Sequence, residues 1–161
     1  SGKTTVAKLL AGKLGRECLE TDELVAKRAG MSISEIVQRH GWDFFRELEG
    51  RVVSEIHGQE NKVISTGGGI VVREDNIKLL KDGGVLVLLD APVDIFVGRI
   101  GDDPGRPPLT DKRTQREELE QVLRERRELY LEAADLIVKT DGATPEQVVD
   151  TILREIGRRQ Q

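Results

Sequence analysis

Apolar positions along the chain form short continuous runs, and longer stretches with helical periodicity separate them. The run VLVLL before Asp90 is apolar at every position, which is typical of a strand covered on both faces. Three further short runs end near Thr21, Ser65 and Lys139. The predicted strands are Glu17–Thr21, Lys62–Ser65, Val85–Asp90 and Leu136–Lys139.

The stretches between these strands have apolar residues at helical spacing. Ser32 with Glu35 forms a capping-box pattern, and Pro92 and Pro145 stand where helices begin. The predicted helices are Thr4–Lys13, Glu23–Arg28, Ile33–Arg39, Asp43–Gln59, Asn76–Lys81, Val93–Arg99, Thr114–Ala134 and Glu146–Gly157. Because strands and helices alternate, we expect a three-layer α/β domain with a parallel sheet.

Composition narrows the class of protein. A chain of 161 residues with 37% hydrophobic and 34% charged positions is expected to form one globular domain, residues 1–161. A net charge of −4 without a basic stripe argues against nucleic-acid binding. No run has the length of a membrane span, and the single cysteine, Cys18, suits a reducing compartment. We therefore expect a cytoplasmic protein.

The first residues, Ser1-Gly2-Lys3-Thr4-Thr5, match the end of a phosphate-binding loop, G-x-x-x-x-G-K-[ST]. Lys3 is expected to reach the β- and γ-phosphates, and the Thr4 hydroxyl to bind Mg²⁺. The loop runs into a helix, whose N-terminus favours anions. A helix cap with a solvated lysine is the alternative. The first half of the motif and its preceding strand are absent from the sequence, which leaves the completeness of the site open.

Two predicted strands end in residues suited to a ligand site. Glu20 and Asp22 stand two positions apart, so their carboxylates are expected on one side, one for a hydrated metal and one for a substrate hydroxyl. Gly67, Gly68 and Gly69 follow the second strand and leave the backbone bare. Ligands of open α/β sheets bind at such strand ends. A helix cap at Asp22 and a plain glycine bend are the alternatives.

Several arginines add candidate anion contacts. Arg46 and Glu49 share a helix face, so Glu49 could orient a guanidinium that binds a carboxylate; a surface ion pair is the alternative. Residues 101–113 hold three of the five prolines and no apolar periodicity, which predicts a mobile lid carrying Arg106. Arg126 lies four residues before Tyr130 on the long predicted helix.

The ordered set of motifs resembles the shikimate kinase family over essentially the whole chain. The motifs are GKTT, ETD, GMSISEI, FRELE, STGGG, RPPL, RRELY and TDGATPE. The resemblance implies a P-loop kinase of the nucleoside-monophosphate-kinase-like type. Its three-layer αβα fold would have a parallel five-stranded sheet (first strand absent from this chain), a mobile lid over about residues 101–113, and shikimate-binding helices over about residues 23–59.

The resemblance also implies ATP-dependent phosphorylation of the shikimate 3-hydroxyl in aromatic amino acid biosynthesis. Asp22 would hold the ring hydroxyls and act as base, and Arg106 would reach over phosphate and substrate. Lys3, Asp22 and Arg106 are thus the catalytic candidates. ATP would contact Ser1, Gly2, Lys3, Thr4, Thr5, Arg99, Arg106 and Pro145. Shikimate would contact Asp22, Arg46, Glu49, Gly67, Gly68, Gly69 and Arg126. Mg²⁺, bound with ATP, would contact Thr4 and Glu20.

Two residues depart from the family pattern, and two other functions remain open. Glu20 stands where the family has aspartate, which lengthens the side chain at the Mg²⁺ contact, and Trp42 replaces an acidic residue. Another small-molecule kinase, such as a gluconate kinase, is one alternative function. A catalytically inactive module that binds nucleotide or shikimate is the other. We expect a monomer whose partners are shikimate and ATP, with no membrane or nucleic-acid partner.

Overall fold

The structure, a computed structural model, describes residues 2–90 and 115–159 of the chain. The helices of this part are α1 (Gly2–Leu14), α2 (Thr21–Ala29), α3 (Ile33–His40), α4 (Trp42–Ile56), α5 (Glu74–Lys81), α6 (Gln115–Ala133) and α7 (Pro145–Arg159), with a 3₁₀ helix at Gly68–Val72. The strands are β1 (Glu17–Glu20), β2 (Lys62–Ser65), β3 (Val87–Asp90) and β4 (Leu136–Lys139).

All four described strands pair in parallel, in two separate pairs. In the first pair, Glu17 of β1 lies opposite Lys62 of β2, and Glu20 lies opposite Ser65. In the second, Val87 of β3 lies opposite Leu136 of β4. A cavity of about 1540 Å³ is lined by β2 and β3 together with residues of α1, α6 and α7.

Helices pack on both faces of the strands, which confirms the predicted three-layer α/β architecture. One core cluster joins α1, β4 and α7 through Val6, Leu10, Val138 and Val149. The opposite layer has two clusters, one around Val25 of α2 with α3 and α4, and one that joins α4 to the 3₁₀ helix and α5. Among the described helices, none is long and apolar enough to cross a membrane.

The predicted elements lie where the periodicity placed them, with differences at their ends. Thr21, predicted as the last residue of the first strand, begins α2 instead, because its side chain turns inward and is fully buried. Helix α4 ends at Ile56, three residues before the predicted Gln59. The segment after Gly67 is a short 3₁₀ helix rather than a plain bend. The predicted helix Val93–Arg99 and the lid lie outside the described residues.

Candidate functional site

The carboxyl ends of β1 and β2 form the centre of the candidate site. Because Glu20 lies opposite Ser65, the residues that follow each strand are brought side by side. The backbone N–H of Gly67 donates a hydrogen bond to the Thr21 hydroxyl oxygen, at 3.1 Å. Thr21 is fully buried, so this bond fixes the start of α2 against the loop after β2. The two strand ends thus lie side by side, as the parallel pairing requires.

Helix α1 begins beside these strand ends. Gly2, Lys3, Thr4 and Thr5 form its first turn, and the dipole of a helix N-terminus favours an anion. The Lys3 ammonium donates a hydrogen bond to the carbonyl oxygen of Thr66, at 3.2 Å. The predicted lysine therefore lies next to the loop after β2. Ser1 is outside the described residues.

A small cavity of about 50 Å³ joins α1 to the two strand ends. It is lined by Lys3, Thr4, Glu20, Asp22, Ser65, Thr66 and Gly67. One Glu20 carboxylate oxygen is buried without a hydrogen-bond partner, and the Lys8 ammonium is 3.8 Å from it. A carboxylate oxygen without a hydrogen bond and a threonine hydroxyl are oxygen donors of the kind that Mg²⁺ binds alongside retained waters. These residues therefore fit the metal that the sequence implies.

Gly67, Gly68 and Gly69, here called the glycine segment, abut the predicted binding residues. A Cβ atom on Gly67 would lie 2.7 Å from a carboxylate oxygen of Asp22, and one on Gly69 would overlap the Arg46 guanidinium. A Cβ on Gly68 would lie 3.2 Å from the Tyr130 hydroxyl and 3.9 Å from the Lys3 ammonium. The missing side chains allow these groups to approach bare backbone.

Arg46 is held by a buried carboxylate and by aromatic rings. Its guanidinium donates a hydrogen bond at 3.0 Å to Glu49, whose side chain is 1% exposed. The guanidinium carbon also lies 5.4 Å from the centre of the Trp42 ring and 5.2 Å from that of Phe45, within cation–π range. The alternative that Arg46 and Glu49 form a surface ion pair is therefore wrong.

The pKa of the Glu49 carboxyl is shifted by burial and by several neighbouring charges. Burial raises the pKa of its carboxyl above the ordinary value of 4.5, and the charge of Asp22 raises it further. The charges of Arg46 and Arg126, together with the hydrogen bond from Arg46, lower the same pKa. The second Glu49 oxygen is buried without a hydrogen-bond partner. Two arginines and a second carboxylate thus act on one buried group.

Arg126 on α6 reaches the same region. Its charge acts on the buried Glu49, as the charges of Arg46 and Asp22 do. Tyr130 follows Arg126 one helical turn later on α6. The Tyr130 hydroxyl donates a hydrogen bond at 2.8 Å to the carbonyl oxygen of Gly68.

Sequence reasoning assigned no role to Thr21 or Tyr130, and it assigned the Trp42 ring to packing rather than to contact with Arg46. Tyr130, within the motif RRELY and four residues after Arg126, had the clearest signal, because residues four apart share a helix face.

The other predicted nucleotide contacts are only partly within the described residues. Pro145 is the first residue of α7 and lines the large cavity, whereas Arg99 and Arg106 lie outside the described residues. The His40 ring stacks on Phe44 with 4.4 Å between ring centres. Residues 2–90 and 115–159 contain no cluster of three or more histidine, cysteine or acidic side chains that could hold a metal.

Comparison with known proteins adds independent evidence. The model of the family described as shikimate kinase matches residues 1–157. A shikimate kinase of Thermodesulfovibrio yellowstonii is 39% identical over 158 residues, which cover 98% of this chain and 90% of the relative. A shikimate kinase of Nitratidesulfovibrio vulgaris is 41% identical over 145 residues, or 88% of this chain and 82% of the relative.

Solved structures show the same similarity at the level of the fold. A shikimate kinase from Acinetobacter baumannii in complex with shikimate superposes with a TM-score of 0.92 at 32% identity, covering 98% of this chain and 88% of the other. The enzyme from Aquifex aeolicus superposes with a TM-score of 0.85 at 36% identity, covering 99% and 92%. The chain therefore belongs to the shikimate kinase family.

Proposed function

We propose that this enzyme transfers the γ-phosphate of ATP to the 3-hydroxyl of shikimate, with Mg²⁺ bound to the nucleotide. One observation carries the proposal: Asp22 and Arg46 lie against bare glycine backbone, next to Lys3 at a helix N-terminus, and the charges of Asp22, Arg46 and Arg126 all act on the buried Glu49. Shikimate has one carboxylate and three hydroxyls, so this set of cations and acceptors is complementary to it.

The acceptor site would be formed by the predicted binding residues. Arg46 and Arg126 would bind the shikimate carboxylate, with Arg46 oriented by Glu49. Asp22 would accept hydrogen bonds from ring hydroxyls and would take the proton of the attacking hydroxyl. The glycine segment would line the shikimate ring. Side chains at Gly67 or Gly69 would collide with Asp22 or Arg46, so glycine there leaves these two residues free to face the substrate. The helices at about residues 23–59 would thus form the shikimate side of a single domain, residues 1–161.

The nucleotide site would lie at the N-terminus of α1. The backbone N–H groups of its first turn and the Lys3 ammonium would bind phosphate oxygens. Thr4 and Glu20 would hold Mg²⁺, which supplies positive charge to the transferring phosphoryl group. Ser1, Thr5, Arg99 and Pro145 complete the proposed nucleotide contacts. Arg106, outside the described residues, would add a cation from a lid over about residues 101–113.

The chemistry asks little of the protein beyond placement. In-line transfer requires the acceptor hydroxyl, the γ-phosphate and the cations to be held together, and no covalent enzyme intermediate is needed. Lys3 lies beside Thr66 and faces Gly68, so it would be close to both substrates.

We also propose that the enzyme is cytoplasmic, where ATP is available, and monomeric. Size-exclusion chromatography would test the oligomeric state.

An ADP-release assay with Mg·ATP and the full-length protein tests the proposal. Shikimate, gluconate and no acceptor are compared, and only shikimate is expected to support turnover. Arg46→Lys should raise the KM for shikimate by at least about tenfold because a lysine cannot form the bidentate contact. Arg51→Lys, on the exposed face of α4, is the matched control and should leave KM unchanged. Turnover with gluconate, or none with any acceptor while shikimate still binds, would favour the rival functions.

A further inference from the structure

The backbone of the glycine segment sets the spacing of the acceptor site. Asp22, Lys3 and Arg46 each face one of its glycines. Because glycine has no side chain, each of these groups faces the backbone directly. A shift of this backbone would therefore change the space available to the substrate beside all three groups. The hydrogen bonds that hold this backbone in place should therefore affect binding of the acceptor.

Side chains from two elements hold the segment at two adjacent residues, Gly67 and Gly68. Thr21, at the start of α2, accepts the N–H of Gly67 at 3.1 Å. Tyr130, on α6, donates its hydroxyl hydrogen to the carbonyl oxygen of Gly68 at 2.8 Å. Each bond has an ordinary length and joins residues far apart in sequence. The carbonyl of Gly68 is thus tied to the helix that carries Arg126.

Tyr130 stands one helical turn after Arg126, on the same face of α6. Its ring packs against the cluster of Val53, Ile70, Val71 and Leu80, which joins α4 to the 3₁₀ helix and α5. The ring contributes to the apolar packing of α6 in this region, whereas the hydroxyl joins the helix to the glycine segment through a hydrogen bond. The ring and the hydroxyl therefore have separable effects.

We propose that Tyr130 is a positioning residue for acceptor binding. Its hydroxyl, bonded to the Gly68 carbonyl, holds α6 in the position from which Arg126 faces the carboxylate of the substrate, as Arg46 does from α4. The inference rests on the proposed function, because it needs a carboxylate-bearing acceptor between the two arginines. Tyr130 itself needs no contact with the substrate.

Tyr130→Phe removes the hydroxyl and keeps the ring. We expect the KM and the calorimetric Kd for shikimate to rise about five- to tenfold, as loss of one positioning hydrogen bond predicts. The KM for ATP and kcat should stay within about twofold. Thr151→Val is the matched control, because the Thr151 hydroxyl also donates to a backbone carbonyl, at 3.0 Å, but on the exposed side of α7.

A double-mutant cycle separates positioning from general stability. If Tyr130 acts through Arg126, the effect of Tyr130→Phe on Kd should largely vanish in an Arg126→Lys background. A lower melting temperature with unchanged Kd, full additivity in the cycle, or a fall in kcat alone would each overturn the inference. A wild-type protein that neither binds nor phosphorylates shikimate would overturn the proposed function, and the inference with it. That result is distinct because it requires no variant.

Discussion

Glu49 is a buried carboxyl whose pKa is affected by the charges of Arg46, Asp22 and Arg126. Burial raises its pKa above 4.5, so the folded state holds its proton to higher pH than the unfolded state does. Between the two pKa values the folded state binds more protons, and the free energy of unfolding therefore falls as pH rises. The stabilisation from this group is complete below about pH 4.5 and is lost as pH rises through the folded-state pKa.

Replacing Glu49 by glutamine should remove that pH dependence. We expect the free energy of unfolding of Glu49→Gln, relative to the wild type, to increase as pH rises from about 4.5, because the variant has no proton to lose. Urea denaturation at several pH values measures the difference. Glu155→Gln is the control, since Glu155 forms an i,i+3 pair with Arg158 on the surface. A constant difference across pH would contradict the expectation.

Gly69 makes a second prediction at the residue scale. A Cβ atom there would overlap the guanidinium of Arg46, which is the movable end of a side chain. Gly69→Ala should therefore displace Arg46 and reduce kcat/KM for shikimate by about tenfold or more, the loss typical of a charge-assisted hydrogen bond. Gly12→Ala, an exposed helical position where a Cβ meets nothing within 4 Å, should leave kcat/KM unchanged. Equal activity of the two variants would show that Arg46 does not depend on Gly69.

At the scale of elements, α3 begins with a cap that the sequence predicted. The Ser32 hydroxyl oxygen accepts the N–H of Glu35 at 3.1 Å. Ser32→Ala should lower the free energy of unfolding by about 1 kcal/mol, because that N–H loses its partner at the helix start. Chemical denaturation measures the loss. Ser54→Ala, at an exposed position within α4, provides the comparison and should be neutral or slightly stabilising. A loss of the same size in both variants would mean that the cap contributes nothing.

At the scale of the whole molecule, ligand binding should stabilise the fold, since the proposed acceptor site joins α2, α4, α6 and the glycine segment. Shikimate at about 100 times its Kd is expected to raise the free energy of unfolding by about 2.7 kcal/mol. Thermal denaturation with and without shikimate measures this shift, and gluconate at the same concentration should produce little of it. Arg46→Lys should require a higher shikimate concentration for the same effect. A shift of equal size with gluconate would contradict the proposed acceptor.

Local sequence patterns determined the elements and much of the candidate site. The apolar run before Asp90 and the helical spacing after Lys3 specify a strand and a helix through side-chain periodicity alone. The ends of the elements were less determined, because packing decides where a helix stops. Thr21 shows this, since burial of its hydroxyl against Gly67 makes it the first residue of α2 rather than the last of a strand.

Only the tertiary structure decided which of the candidate residues meet. Asp22, Arg46 and Arg126 are far apart in sequence, and they converge because parallel strands place their carboxyl ends at one edge while α4 and α6 pack beside it. The same holds for Tyr130, whose hydrogen bond to Gly68 spans 62 positions in sequence. Periodicity describes one element at a time. Distances between elements arise from the packing of the whole chain, and those distances determine how Tyr130 and the glycine segment take part in the site.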